Sequence, residues 1–205
     1  MPAALSLFGH CLTYWERALC APGLSPAYTR TLTHGLAVSL GALGETLLKL
    51  HDIHGAIACF EHNRALMAEI AGDIARADVR LADCAMALAR QGPEALQAQY
   101  LRHAEDYLQQ AESGYRERPH VWGFWLKAQL KLRLMQRQWT DVVTVTERCL
   151  PEVSVAFVKG YLLLYQGQAW LALENPDTAV AACAASATAF LHEHYILEAA
   201  GAYLE

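Results

Sequence analysis

The feature that most constrains the fold is a spacing that occurs twice. In "SLGALGETLLKLHDIHGAIACFEHNRAL" the order is Leu40-x2-Leu43-Gly44-x2-Leu47, followed by Ala56-x3-Phe60. In "LLLYQGQAWLALENPDTAVAACAAS", Gly167 precedes Ala179 by the same interval that separates Gly44 from Ala56. There Trp170 takes the position of Leu47, and Asn175-Pro176 that of Asp52-Ile53. Large residues at helical period, a break and a second such stripe predict two helices folded back on each other. The small residue lets them approach closely, and Ala56 is expected to be the contact opposite Gly44.

Two further segments fit the scheme. "FWLKAQLKLRLMQRQWTDVVTVTERCLP" predicts a hairpin turning at Gln136–Gln138, with Trp139 and Val142 opening its second helix. "ADVRLADCAMALARQGPEALQAQYLRHAEDYLQQAESGY" turns at Gly92-Pro93 but has a longer second helix and no clean A-x3-F, so this unit is degenerate. Ser25-Pro26 reads as an N-cap with proline at the first helical position. Ahead of it, Leu5, Phe8, Leu12, Trp15 and Leu19 form one apolar stripe, like the second half of a hairpin whose first half is missing.

The predicted fold is all-α, an antiparallel helix-hairpin solenoid forming a single domain over 1–205. Its parts are a half-repeat or capping helix at 5–21, then hairpins at 26–72, 74–115, 119–151 and 155–191, and a C-terminal helix at 192–205. Composition agrees: 54 % hydrophobic, dominated by Ala and Leu, with almost no β-branched alternation. Beginning on half a repeat, the chain reads as a piece of a longer array; end helices acting as caps are the alternative.

"YWERALCAPGLSPAYTRTL" and "LGETLLKLHDIHGAIACFEHNRALMAEIAGD" carry a family resemblance. The repeat spacing resembles the tetratricopeptide pattern W-x2-L-G-x2-Y…A-x3-F. The two stretches together are similar to the repeat region that follows the ATPase switch in bacterial LuxR-type and maltose-activator-type regulators. The likeness is best over 13–73 and 155–205 and weakest over 93–120. It implies a right-handed superhelix and a sensing or docking role within a larger regulator. The chain itself carries no G-x-x-x-x-G-K-[ST] phosphate loop.

Several stretches suggest a chemistry, and each has a plainer reading. His51, His54 and His62 crowd the first hairpin, but eight helical residues span about 12 Å, too far for His54 and His62 to share one ion. They are expected to be solvated, and His192-x-His194 likewise. No metal and no cofactor is expected. No nucleophile–base motif or H-E-x-x-H is present, so the chain is not expected to be an enzyme. The net charge of −5 speaks against nucleic acid as a partner. The exception to weigh is 116–139, where Arg116, Arg118, Lys127, Lys131, Arg133 and Arg137 meet only Glu117 amid Trp122, Phe124, Trp125 and Trp139. Such a segment could bind an anionic ligand or an acidic protein segment.

The longest uncharged runs, Gly160–Leu173 and Thr178–Leu191, are shorter than the ~18–20 residues of a membrane span, so no membrane association is expected. The N-terminus lacks the pattern of a secretory leader. The six scattered cysteines read as small buried hydrophobes of a reducing cytoplasm.

In stacked hairpins the first helices line the concave face. The residues expected there are Glu45, Leu48 and Lys49; Met86, Ala89 and Arg90; Phe124, Lys127, Lys131 and Leu134; and Tyr161, Leu164, Gln168 and Leu171. Such a surface suits a peptide or protein segment, or a small effector. A free-standing adaptor is the alternative to a module of a regulator. The apolar end faces predict self-association as a homodimer.

Overall fold

The computed structural model describes residues 2–116, 118–192 and 202, and among these every regular element is helical. The helices are α1 (Pro2–Leu19), α2 (Pro26–Lys49), α3 (Ile53–Glu69), α4 (Ala75–Gln91), α5 (Glu94–Arg116), α6 (Pro119–Met135), α7 (Trp139–Cys149), α8 (Ala156–Ala172) and α9 (Pro176–His192), with a 3-10 turn at Leu150–Glu152. They pack in adjacent pairs, as an all-α array of helical hairpins requires. Apart from His192 and Ala202, the segment expected to form a C-terminal helix lies outside the described residues, as does His194.

Three hairpins are closed by one turn. Leu50, Gln136 and Leu173 cap the first helices, and His51, Arg137 and Glu174 follow in the left-handed region at φ 64°, 61° and 59°. The next residue then donates its N–H back to the helix: Asp52 to Leu47 O (3.0 Å), Gln138 to Arg133 O (2.9 Å) and Asn175 to Trp170 O (2.9 Å). This six-to-one bond, with the bonds from His51, Arg137 and Glu174 to Leu48, Leu134 and Leu171, makes each a Schellman motif. Asp52 then caps α3 by accepting from Gly55 N–H.

Non-glycine residues occupy all three left-handed positions, which disfavours them by ~1–2 kcal/mol each. Glycine gives back roughly half of that as chain entropy. His51→Gly, Arg137→Gly and Glu174→Gly should therefore each stabilise the protein, by about 0.5–1 kcal/mol, in urea unfolding. A loss at Glu174 would mean that its side chain holds the turn.

A second correspondence is buried. The Asn63 amide of α3 donates to Ala37 O of α2, and Ser186 Oγ of α9 donates to Gly160 O of α8 at 2.7 Å. Asn63 and Ser186 are as far apart in sequence as Gly44 and Gly167, so the two hairpins are latched at equivalent positions. Residue size trades across the seam. A Cβ on Gly44 would lie 2.8 Å from Phe60 Cε1, and one on Gly167 2.6 Å from Cys183 Sγ. The third hairpin has Leu130 and Thr146 at those two positions, both fully buried. A Cβ on Gly44 would meet the Phe60 ring first, one turn beyond Ala56, whereas one on Gly167 would also lie 3.2 Å from Ala179 O.

The chain divides into two compact units, Met1–Gly114 and Tyr115–Glu205. In the first, Ile53, Ala56, Phe60, Leu81 and Cys84 form the core, with Leu47, Leu48, Leu88 and Tyr107 packed on it. α5 contributes a narrow buried stripe, Ala104, Leu108 and Ala111. α1 covers α2: the Trp15 ring lies over Gly35, and its indole N–H donates to Ser39 Oγ (3.1 Å). In the second unit, Ala187, Phe190 and Ala202 are packed by Phe157, Tyr161 and Leu164.

Candidate functional site

The first unit holds a groove where two first helices meet. His34, Val38, Gly41, Ala42 and Glu45 recur at helical period on one face of α2. Across from them stand Arg76, Ala77 and Arg80 of α4, while Phe60, Asn63 and Met67 of α3 lie beneath. The enclosed volume is about 370 Å³. The floor is apolar and the rim ionic: Glu45 accepts from Arg80 at 2.7 Å and from Arg76 at 3.3 Å, and Arg80 also reaches Asp83 at 3.5 Å. The Arg76 side chain is 70 % exposed, so its guanidinium can bond a ligand without leaving Glu45.

In the second unit, Lys127 of α6 lies over two rings of α8. Its ammonium is 4.8 Å from the Tyr161 centroid and 5.6 Å from that of Phe157. The rings meet edge to face at 5.1 Å, and Tyr161 meets Phe190 in the same way at 5.1 Å. Phe124 and Lys131 flank Lys127 one turn to either side on α6. A separate pocket of about 200 Å³ lies between α8 and α9, lined by Gln168, Leu171, Val180 and Cys183 among others.

Of the residues expected on the binding face, Glu45 lines the groove and Lys127 meets Tyr161. Leu164 packs with Tyr161 on the core of α8 and α9, and Gln168 lines the smaller pocket. Lys49 and Arg90 are exposed but do not line the groove. The assignment of Met86 is corrected, because it is completely buried and offers no free surface; Leu48 is half-buried against the Ile53–Phe60 core. Ala89 and Leu134 are buried as well. The residues missed were His34, Val38, Arg76 and Arg80. Their signal was an unbroken α2 stripe ending at Glu45, opposite an arginine pair four apart on α4.

His51 closes a turn with its Nδ1 3.3 Å from Gln91 Nε2, and His54 and His62 are exposed. No group of three or more His, Cys, Asp or Glu among the described residues could hold a metal ion. Burial, then the Asp52 charge, pushes the Cys59 thiol up, away from the thiolate a nucleophile needs. Cys84 and Cys149 are buried as expected, whereas Cys11 and Cys20 are exposed on and just after α1. Asp78 is buried, with one carboxylate oxygen bonded to Arg64 Nε and the other without a partner. Arg64 also donates to Gln110 of α5 (3.0 Å), so it ties α3 to both α4 and α5. Burial pushes the Asp78 carboxyl up, and the Arg64 bond and charge only partly oppose it.

No helix among the described residues is long and apolar enough to cross a membrane. No protein-family model matches the chain, and no curated protein matches it significantly.

Proposed function

We propose that the chain is a non-catalytic interaction and sensing module that binds a peptide segment of another protein in the α2–α4 groove. The observation carrying this reading is the groove itself, about 370 Å³ over an apolar floor, with Glu45 of one wall ion-paired to Arg76 and Arg80 of the other. An apolar floor supplies affinity, and pre-formed charges at the rim fix register at little reorganisation cost. The hairpin architecture and the resemblance to tetratricopeptide regions of LuxR-type and maltose-activator-type regulators support a place in a bacterial signalling or transcriptional regulator. Occupancy would act there by favouring one of two packings against a neighbouring domain, which demands different affinity for the two. A reducing cytoplasm suits its free thiols.

The test is selection from a random peptide library, followed by titration of the selected peptides against Val38→Glu. Val38 is half exposed in the groove, so the substitution spares the core. Binding should weaken by about tenfold or more, the equivalent of ~1.4 kcal/mol. Unchanged binding of every selected peptide would remove the groove from consideration.

A further inference from the structure

We propose that the exposed flank of α1 is the seam of a two-fold dimer, in which a second copy of the chain packs its own α1 antiparallel to the first. Helix α1 carries two apolar stripes. Phe8, Leu12, Trp15 and Leu19 are half-buried, and Trp15 is fixed to α2 at Gly35 and Ser39. Leu7, Cys11, Tyr14 and Ala18 form the second stripe, centred about 100° further round the helix. His10, Thr13, Glu16 and Arg17 stand on the remaining arc. Packing on α2 needs only one stripe, and a solvated flank would be polar. Here Leu7 stays 65 % exposed and Tyr14 62 %, with Cys11 exposed between them. Large apolar side chains grouped in this way mark an association surface.

The order of sizes along the stripe selects the partner. Leu7, Cys11, Tyr14 and Ala18 follow the alternating four-and-three step of a coiled-coil seam, with the large residues at d and the small ones at a. Parallel helices would stack like on like, Tyr14 against Tyr14 and Ala18 against Ala18, one layer overfilled and another hollow. An antiparallel copy instead sets each large residue against a small one: Leu7 against Ala18, and Tyr14 against Cys11. A second chain supplies that match by symmetry, because the same pairs recur when the seam is read from the other side. The Tyr14 ring is already placed. It meets the Trp15 ring edge to face at 5.3 Å, and the Trp15 indole is held by Ser39. Less side-chain freedom is therefore left to lose on docking. Four seam positions fall short of the ~800 Å² per copy of a standard interface, so the dimer is a weak one, with a Kd on the order of 10–100 µM.

Sedimentation of the full chain between about 2 and 500 µM tests the seam, and the 22.6 kDa monomer should give way to a dimer across that range. Tyr14→Glu should raise the Kd about tenfold or more, since docking would bury its charge. The exposed position of Tyr14 spares the core. Salt at about 1 M should leave the native dimer undiminished, because screening acts on charges and none of the four seam residues carries one. Val38→Glu should dimerise as the native chain does, which separates the seam from the α2–α4 groove. Orientation is read by mild oxidation in a Cys11→Ser/Cys20→Ser background. Leu7→Cys/Ala18→Cys should give a covalent dimer. Ala18→Cys alone should not, because its counterpart would lie about 16 Å away along the helix, beyond the reach of a disulfide. A monomer throughout would overturn the proposal and leave the flank to a different protein. Loss of the dimer in salt, an unweakened Tyr14→Glu dimer, or crosslinking by Ala18→Cys alone would overturn it too. Should Tyr14→Glu fold poorly, the concentration and salt dependence of the native chain decide.

Discussion

Phe60→Ala should destabilise the Met1–Gly114 unit by about 3–5 kcal/mol, because a fully buried ring would leave a cavity that α2 cannot collapse to fill. The ring lies against Gly44, and the α2 backbone there is held nearby by the Asn63–Ala37 bond. Gly44→Ala should also be costly, by about 1–3 kcal/mol, since its new methyl would meet Phe60 Cε1 and Cζ below 3 Å. The informative measurement is the double variant. With the ring gone, the Gly44→Ala methyl enters vacated space and gains the helix preference of alanine. Gly44→Ala/Phe60→Ala should therefore be less destabilised than the sum of the single changes, by more than ~1 kcal/mol in urea unfolding. Simple additivity would show that the seam has room to spare. Leu130 and Thr146 at the same two positions of the third hairpin point the other way: a large first residue stands opposite a small second one.

Arg64→Met should cost about 2–3 kcal/mol at neutral pH. Removing the guanidinium leaves the Asp78 carboxylate buried and uncompensated, which typically costs ~3–5 kcal/mol. The lower figure applies because Arg64 is itself 40 % exposed and water screens part of the interaction. The pH dependence has a defined sign. Burial already holds the Asp78 carboxyl above its ordinary value, so the folded chain keeps that proton more tightly than the unfolded one. The contribution of this group to stability is therefore fully present below the ordinary carboxyl range. It is lost as pH rises through the raised folded value. Without Arg64 the folded value climbs further, and the loss extends to higher pH. The gap between native and Arg64→Met stabilities should open with rising pH and nearly close in acid. Asp78→Asn should abolish that pH-dependent gap. A gap independent of pH would show that Arg64 acts through packing alone.

The turns were the most legible part of the fold. Placing Asn175-Pro176 with Asp52-Ile53, and a turn at Gln136–Gln138, follows from local chain chemistry, and the same three-residue closure occurs at each. Spacing says that a small residue is needed at Gly44 and does not say that the Phe60 ring, one turn beyond Ala56, comes nearest to it. The same limit governed the binding face. Leu48, Lys49, Met86 and Arg90 lie in the C-terminal halves of their helices. The groove lies further toward their N-terminal halves, through His34, Val38, Arg76 and Arg80. A helix face is readable from period, but the height at which two helices meet depends on contacts far apart in sequence. The Asp78–Arg64 pair was invisible for a related reason: Asp78 on a helix reads as a solvated acid until α3 is placed beside it.

The Schellman turns have a consequence for how the protein is made. Each reverses the chain using bonds reaching back no more than five residues, and the Asn63–Ala37 and Ser186–Gly160 bonds join residues only 26 apart. The turn and the latch of such a hairpin lie within its own short stretch of chain, and Leu81 and Cys84 of the following helix complete its core. The α2–α3 pair can close as soon as its second helix leaves the ribosome, ready for the next to dock. At about 5–20 residues per second, synthesis is far slower than helix formation. The first hairpin would thus be complete while the last is still untranslated, and its apolar seam would spend little time exposed to aggregation in the cell.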